Sequence, residues 1–309
     1  MRDSRHSLPV PDKDGKRLFA VGQKKRIELL RYDIKAGQFV PFLSGISGAQ
    51  VDVSRDGQWV AYISYPDNML WRSKLNGSER LQLTYPPMAA ALPRWSPDGK
   101  RIAFRTLIPG KSSKIFIVPA NGGTSEEVVS EDRGEVDPAW SPDGNSLIFG
   151  RLRTLEPGIP ASSRAIYMVN LITHQISTLP GSEGLFSPKW APDGRYLAAM
   201  PEGSSKLILF DFKKQAWSLL DTEHCPCAFP SWSHDGTYLY FLGFPGDDQA
   251  IYRLKISDRT VQRLASMKDL RMPDDRYWGI WIGLAQDDTP LTLRDTSVRE
   301  IYALDWELP

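Results

Sequence analysis

The sequence predicts an all-β protein: a seven-bladed β-propeller of four-stranded antiparallel sheets, with a last blade of only three strands. Three observations carry this. One phrase recurs at a near-constant period, each period holds four short apolar runs, and the 309 residues combine 24 Gly and 24 Pro with 10 Trp, 11 Tyr and 12 Phe. Many chain breakers beside many aromatics favour short strands joined by turns over long helices.

The recurring phrase reads Pro93-Arg94-Trp95-Ser96-Pro97-Asp98-Gly99, then Pro138-Ala139-Trp140-Ser141-Pro142-Asp143-Gly144. It returns as Pro188-Lys189-Trp190-Ala191-Pro192-Asp193-Gly194 and Pro230-Ser231-Trp232-Ser233-His234-Asp235-Gly236. Weaker copies end at Gly15 and Gly57, and a degenerate one at Asp288. The spacings between equivalent positions are 42, 42, 45, 50, 42 and 52 residues. Such a period marks a repeat architecture. The single domain 1–309 then divides into blades near 6–44, 45–87, 88–133, 134–182, 183–224, 225–272 and 273–309.

Each unit reads as four strands. In the third, Leu92–Ser96 is the innermost strand and Pro97-Asp98-Gly99 a tight turn, because Asp bonds its own backbone and Gly accepts positive φ. Arg101–Arg105, Lys114–Val118 and Glu126–Val129 follow. A four-stranded sheet of about 42 residues cannot cover both its faces, so it stacks against its neighbours. Trp95, Trp140, Trp190 and Trp232 are then expected to fill equivalent gaps between blades. Asp98, Asp143, Asp193 and Asp235 recur in register and are expected to shape turns. The last unit offers Trp281–Ala285, Leu291–Arg294 and Ile301–Asp305 and no fourth strand. The five polar residues at the start make a poor closing strand. The expectation is therefore an unclosed three-stranded blade, or a propeller that takes its closing strand from chain further upstream.

At the Trp-Ser-Pro-Asp-Gly copies the chain resembles the TolB-type, WD40-like propeller repeat. The resemblance covers essentially the whole chain and implies the propeller fold. The same repeat occurs in propellers of prolyl-oligopeptidase-type peptidases and in oligogalacturonate lyases, so it does not by itself imply an activity. A narrower resemblance lies at Gln38–Ser47, Leu75–Pro86, Leu291–Asp295 and Glu300–Trp306. These phrases look like the C-terminal propeller of acidobacterial-type winged-helix or kinase regulators, which implies a sensory or docking part of a larger bacterial protein.

Composition excludes several classes. Lys and Arg number 38 against 37 Asp and Glu, so no global field draws this chain to nucleic acid or an anionic membrane. Two Cys do not make a disulfide scaffold. No apolar run approaches the roughly 20 residues of a membrane helix. Met1–Asp14 has no apolar stretch, so no signal peptide is expected and the chain reads as cytoplasmic, or periplasmic if it is a fragment of a membrane-anchored protein. The nearest approach to a Gly-x-Ser-x-Gly elbow, Gly45–Ala49, fails at its last position. The four His are scattered, and His234 reads as a solvated turn residue. His224, Cys225 and Cys227 form a weak metal candidate, although two Cys separated by one residue rarely share a tetrahedral ion. No catalytic residue and no cofactor is expected.

What remains is a binding propeller, expected to be monomeric, whose partner is a protein or peptide; the alternative is a lyase-like enzyme acting on a small molecule or oligosaccharide at the channel mouth. Crossovers and second-to-third-strand loops share one face, and long loops on a rigid scaffold tend to carry binding. By position, the candidate residues at that mouth are Arg94, Glu135, Asp137, Arg151, Arg153, Phe186, Lys189, Phe229, Asp274 and Arg276.

Overall fold

The computed structural model describes residues 9–14, 16–108, 111–130, 134–151, 165–201, 206–222, 227–245, 248–273 and 280–305. These residues form seven antiparallel sheets, six of four strands and one of three, and contain no helix. The all-β propeller and its single three-stranded sheet are as the repeats predict. How the sheets assemble, and which strands complete them, differs from the expectation.

Five sheets follow the repeats directly. Their innermost strands are Gly48–Val53, Ala89–Trp95, Glu135–Trp140, Leu185–Trp190 and Cys227–Trp232, each paired outward in chain order with three more strands. The sixth four-stranded sheet joins both ends of the chain. Gly283–Leu284 and Pro290–Asp295 supply its inner strands, and Ile27–Asp33 and Gln38–Pro41 its outer ones. Each of these six sheets packs on the next, and the sixth packs back on the first, so the ring closes. Six apolar clusters fill the six gaps. The ring is thus tied shut by two N-terminal and two C-terminal strands of this chain, which corrects the expected unclosed last blade.

The three-stranded sheet stands outside that ring. It consists of Val10–Pro11, Arg17–Lys24 and Val298–Asp305. Arg17–Lys24 does pair with the short strand before it, and Asp12 caps the intervening turn by accepting from the Lys16 and Arg17 amides. It does not fold back on Ile27–Asp33. The stretch Gly22-Gln23-Lys24-Lys25-Arg26 holds no turn dipeptide, and the chain runs on from one sheet into the next. Its partner does the same: Lys24 opposes Val298 and Ile27 opposes Asp295, in a single register. The junction is held by the Arg26 amide donating to Ser297 Oγ (3.0 Å) and the Thr296 amide to Arg26 O (3.0 Å). One long ladder therefore begins inside the ring and ends as an exposed ribbon, on which Ile301, Tyr302 and Leu304 are 75%, 50% and 55% exposed.

The turns explain why the phrase recurs. Ser54, Ser96, Ser141 and Ser233 donate their hydroxyls to the Asp two residues on, at 2.5–2.7 Å. The same hydroxyls accept the amides of Trp59, Arg101, Ser146 and Tyr238 at 2.9 Å. The hydroxyl of Ser141 and then the Asn145 amide hold the Asp143 carboxyl below the usual range. Gly144 sits at φ 72°, where a side chain is strained, and faces Pro97 of the preceding turn. Pro142 lies against Gly194 and Pro192 against Gly236 in the same way. His234 occupies the Pro position of its turn but is not simply solvated. Its amide and Nδ1 both reach Asp288 Oδ1, at 2.9 and 2.6 Å, and link its blade to the closing one.

Candidate functional site

The six innermost strands surround one channel of about 620 Å³. Each of the first five carries a bulge opposite the second strand of its sheet, and the bulged residue has positive φ: Gln50, Leu92, Asp137, Ser187 and Phe229. Pro follows in four of the five, which fixes the next turn of the chain. A bulge re-aims side chains and frees a backbone amide. Two residues further on lies a second layer, Asp52, Arg94, Ala139, Lys189 and Ser231, which Gly283 completes from the closing sheet.

Side chains of one blade take up the amides freed in the next. Gln50 Oε1 accepts the Leu92 amide at 2.6 Å, and Asp52 Oδ2 the Trp95 amide at 2.7 Å. Arg94 Nη1 lies 3.8 Å from Asp52 Oδ1. Burial nevertheless raises the Asp52 carboxyl above its usual range, with Arg94 pulling the other way. Lys189 is pushed down to about 8, first by loss of water around it and then by the Arg94 charge. Arg105 also lines the channel, where Ser113 Oγ takes its Nε and Nη2 at 2.9 and 2.8 Å. Phe186 and Phe229 add aromatic surface, and Phe229 is 37% exposed.

The tryptophans stand behind this layer. The indoles of Trp95, Trp140 and Trp232 donate to the carbonyls of Asp52, Arg94 and Lys189 in the preceding blade, at 3.1, 2.9 and 2.8 Å. Trp190 departs from the expected equivalence. Its indole donates to Gly194 O of its own turn at 3.3 Å, and its ring stacks on Phe212 at 4.9 Å.

Of the predicted mouth residues, Arg94, Asp137, Phe186, Lys189 and Phe229 line the channel together. Glu135 and Arg151 do not. They oppose each other at the end of one strand pair, fully or almost fully buried, with Arg151 over the Tyr167 ring at 4.1 Å. Burial pushes the Glu135 carboxyl up to about 7 against the pull of Lys114 and Arg151. Arg153, Asp274 and Arg276 lie outside the described residues, as do His224 and Cys225. Cys227 opens an inner strand and is buried between blades. Among the described residues no three His, Cys, Asp or Glu side chains gather as a metal site. Sequence reasoning missed Gln50, Asp52, Arg105 and Trp281. The first two lie in register with Leu92 and Arg94, so counting back from each turn would have found them.

A ring of four-stranded sheets around a channel lined by inner-strand bulges defines a β-propeller. Residues 49–160 match the family model described as TolB beta propeller domain. No curated protein sequence matches the chain. Among solved structures, the putative TolB of Agrobacterium tumefaciens is similar at 18% identity, over 89% of this chain and 100% of that one, with a TM-score of 0.69. TolB of Acinetobacter baumannii is similar at 19% identity over 90% and 79%, with a TM-score of 0.59. An oligogalacturonate lyase of Vibrio parahaemolyticus is similar at 13% identity over 93% and 88%, also with a TM-score of 0.59. At these identities the likeness is one of fold.

Proposed function

We propose that this chain is a non-catalytic docking propeller that binds a protein or peptide at its channel mouth. The observation that carries the reading is the lining itself. Phe186 and Phe229 offer aromatic anchors, and Asp52, Arg94, Asp137 and Lys189 offer charges of both signs in one channel. Aromatic anchors beside a few directed polar groups are the usual makeup of a recognition site. The TolB-type repeat supports a protein-binding role. The phrases at Gln38–Ser47 and Glu300–Trp306 support a place within a larger bacterial regulator, acting as a monomeric unit in the cytoplasm, or in the periplasm if that regulator is membrane-anchored.

A peptide selected from a displayed random library tests this. The double variant Phe186→Ala/Phe229→Ala should weaken its binding about 10-fold or more, as loss of two anchors does. Unchanged binding, or protection mapped to the Asp-Gly turns on the opposite face, overturns the assignment. The second reading, a channel enzyme acting on a small molecule or oligosaccharide, draws its support from the lyase among the structural neighbours. Turnover of an acidic oligosaccharide by wild-type protein, lost in Arg94→Met, would replace the docking reading.

A further inference from the structure

Lys189 differs from the enclosed channel cations Arg94 and Arg105, while Arg55, which also lines the channel, is exposed. Arg94 reaches Asp52, and Arg105 is taken by Ser113. Among the described residues the Lys189 ammonium makes no hydrogen bond and no ion pair. It extends from an innermost strand, and the flanking blades place only Ala139 and Ser231 at its level, which leaves open channel beside it. Apolar groups of Trp190, Met200, Phe229 and Trp232 share the lining. The charged groups that act on it are Arg94, which opposes its charge, and Asp137 and Asp52, which favour it. A lysine without a partner, half-buried among apolar groups and sharing its channel with another cation, is the arrangement that exposes the lone pair of an amine.

We propose that Lys189 is a nucleophilic amine and that the channel captures a small aldehyde or ketone on it. The nitrogen lone pair of the neutral amine forms a C–N bond to the carbonyl carbon. The two amine protons pass to the carbonyl oxygen, which leaves as water, and a C=N bond remains. No electrons are gained or lost, and the water is the only by-product. The cavity of about 620 Å³ has room for such a ligand. This capture goes beyond docking and does not depend on it, because a channel that binds no peptide can still condense with a carbonyl compound.

The test is reductive trapping on the folded wild-type chain. Propionaldehyde is supplied at limiting concentration with cyanoborohydride, over a pH series from about 6 to 10, and the propylated lysines are mapped by mass spectrometry. Lys189 should be marked about 10-fold faster near neutral pH than the exposed lysines, with a half-maximal rate near pH 8. Unfolding in urea should abolish that preference. Arg94→Met should move the midpoint upward and slow marking at neutral pH several-fold, since the opposing charge is gone. Marking of Lys189 at the rate of exposed lysines, or a midpoint at the ordinary lysine value, overturns the proposal. Loss of peptide binding in Phe186→Ala/Phe229→Ala with trapping intact separates this inference from the docking reading.

Discussion

The four repeated tryptophans show that one residue type at one sequence position can do two jobs. Trp140 is 8% exposed, fills the gap behind Arg94 and satisfies a carbonyl of the neighbouring blade. Trp190 turns to its own blade and leans on Phe212. Trp140→Ala should therefore cost roughly 3–5 kcal/mol, the usual loss for a core aromatic. Trp190→Ala should cost about half as much, because its ring is only partly buried. Urea unfolding of the two variants ranks them, and equal losses would contradict the distinction. Lys189 offers a second test at this scale. Its folded pKa of about 8 lies below the 10.5 of the free side chain. The protonated form is the disfavoured one in the fold, so the penalty is complete below pH 8 and disappears as pH rises toward 10.5. Lys189→Met should be more stable than wild type at neutral pH by on the order of 1–2 kcal/mol, a figure discounted for water in the channel. The difference should vanish in alkali. A constant difference across the pH range would deny that charge is its source.

At the scale of the element, the turn between the first two strands is the repeated device. Its Ser hydroxyl serves the Asp and an amide at once, in four of the five well-formed copies. The copy after Trp190 has Ala191 instead, buried, with the surrounding backbone bonds unchanged: the Ala191 amide donates to Tyr196 O at 2.8 Å and the Gly194 amide to Ala191 O at 2.9 Å. The Asp193 carboxylate is in place and accepts the Arg195 amide. Ala191→Ser should stabilise the chain by about 0.5–1.5 kcal/mol, the net worth of an added hydrogen bond with its partners already positioned. A loss of stability would mean that the backbone there has no room for the hydroxyl. These turns were readable in the sequence because Ser, Asp and Gly each act locally. The bulge of the innermost strand was not. Its signal is a single residue before Pro, and Gln50, Leu92, Asp137, Ser187 and Phe229 share no chemistry. Their common property is a backbone angle.

At the scale of the molecule, repetition revealed the sheets, and chain topology decided their assembly. Five of the residues picked by position, Arg94, Asp137, Phe186, Lys189 and Phe229, line the channel, because the inner strand of each repeat is marked by its own turn. It misplaced Glu135 and Arg151, which sit one step too far along the strand pair and pack within a blade. Closure was hidden for a different reason. Strands Ile27–Asp33 and Pro290–Asp295 are over 250 residues apart and carry no motif that matches them; only the shared edge of the ring brings them together. The continuation of both into the ribbon was hidden too, since nothing in Gly22–Arg26 distinguishes a straight run from a loop.

Native-state hydrogen exchange read peptide by peptide tests the closure most directly. The amides of Ile27–Asp33 and Pro290–Asp295 should exchange together, at the slow rate of inner strands such as Leu147–Gly150, while Arg17–Lys24 and Val298–Asp305 exchange far faster. Rapid exchange across Ile27–Pro41, with the other five four-stranded sheets still protected, would show a ring that is not tied by its own two ends and would contradict the account.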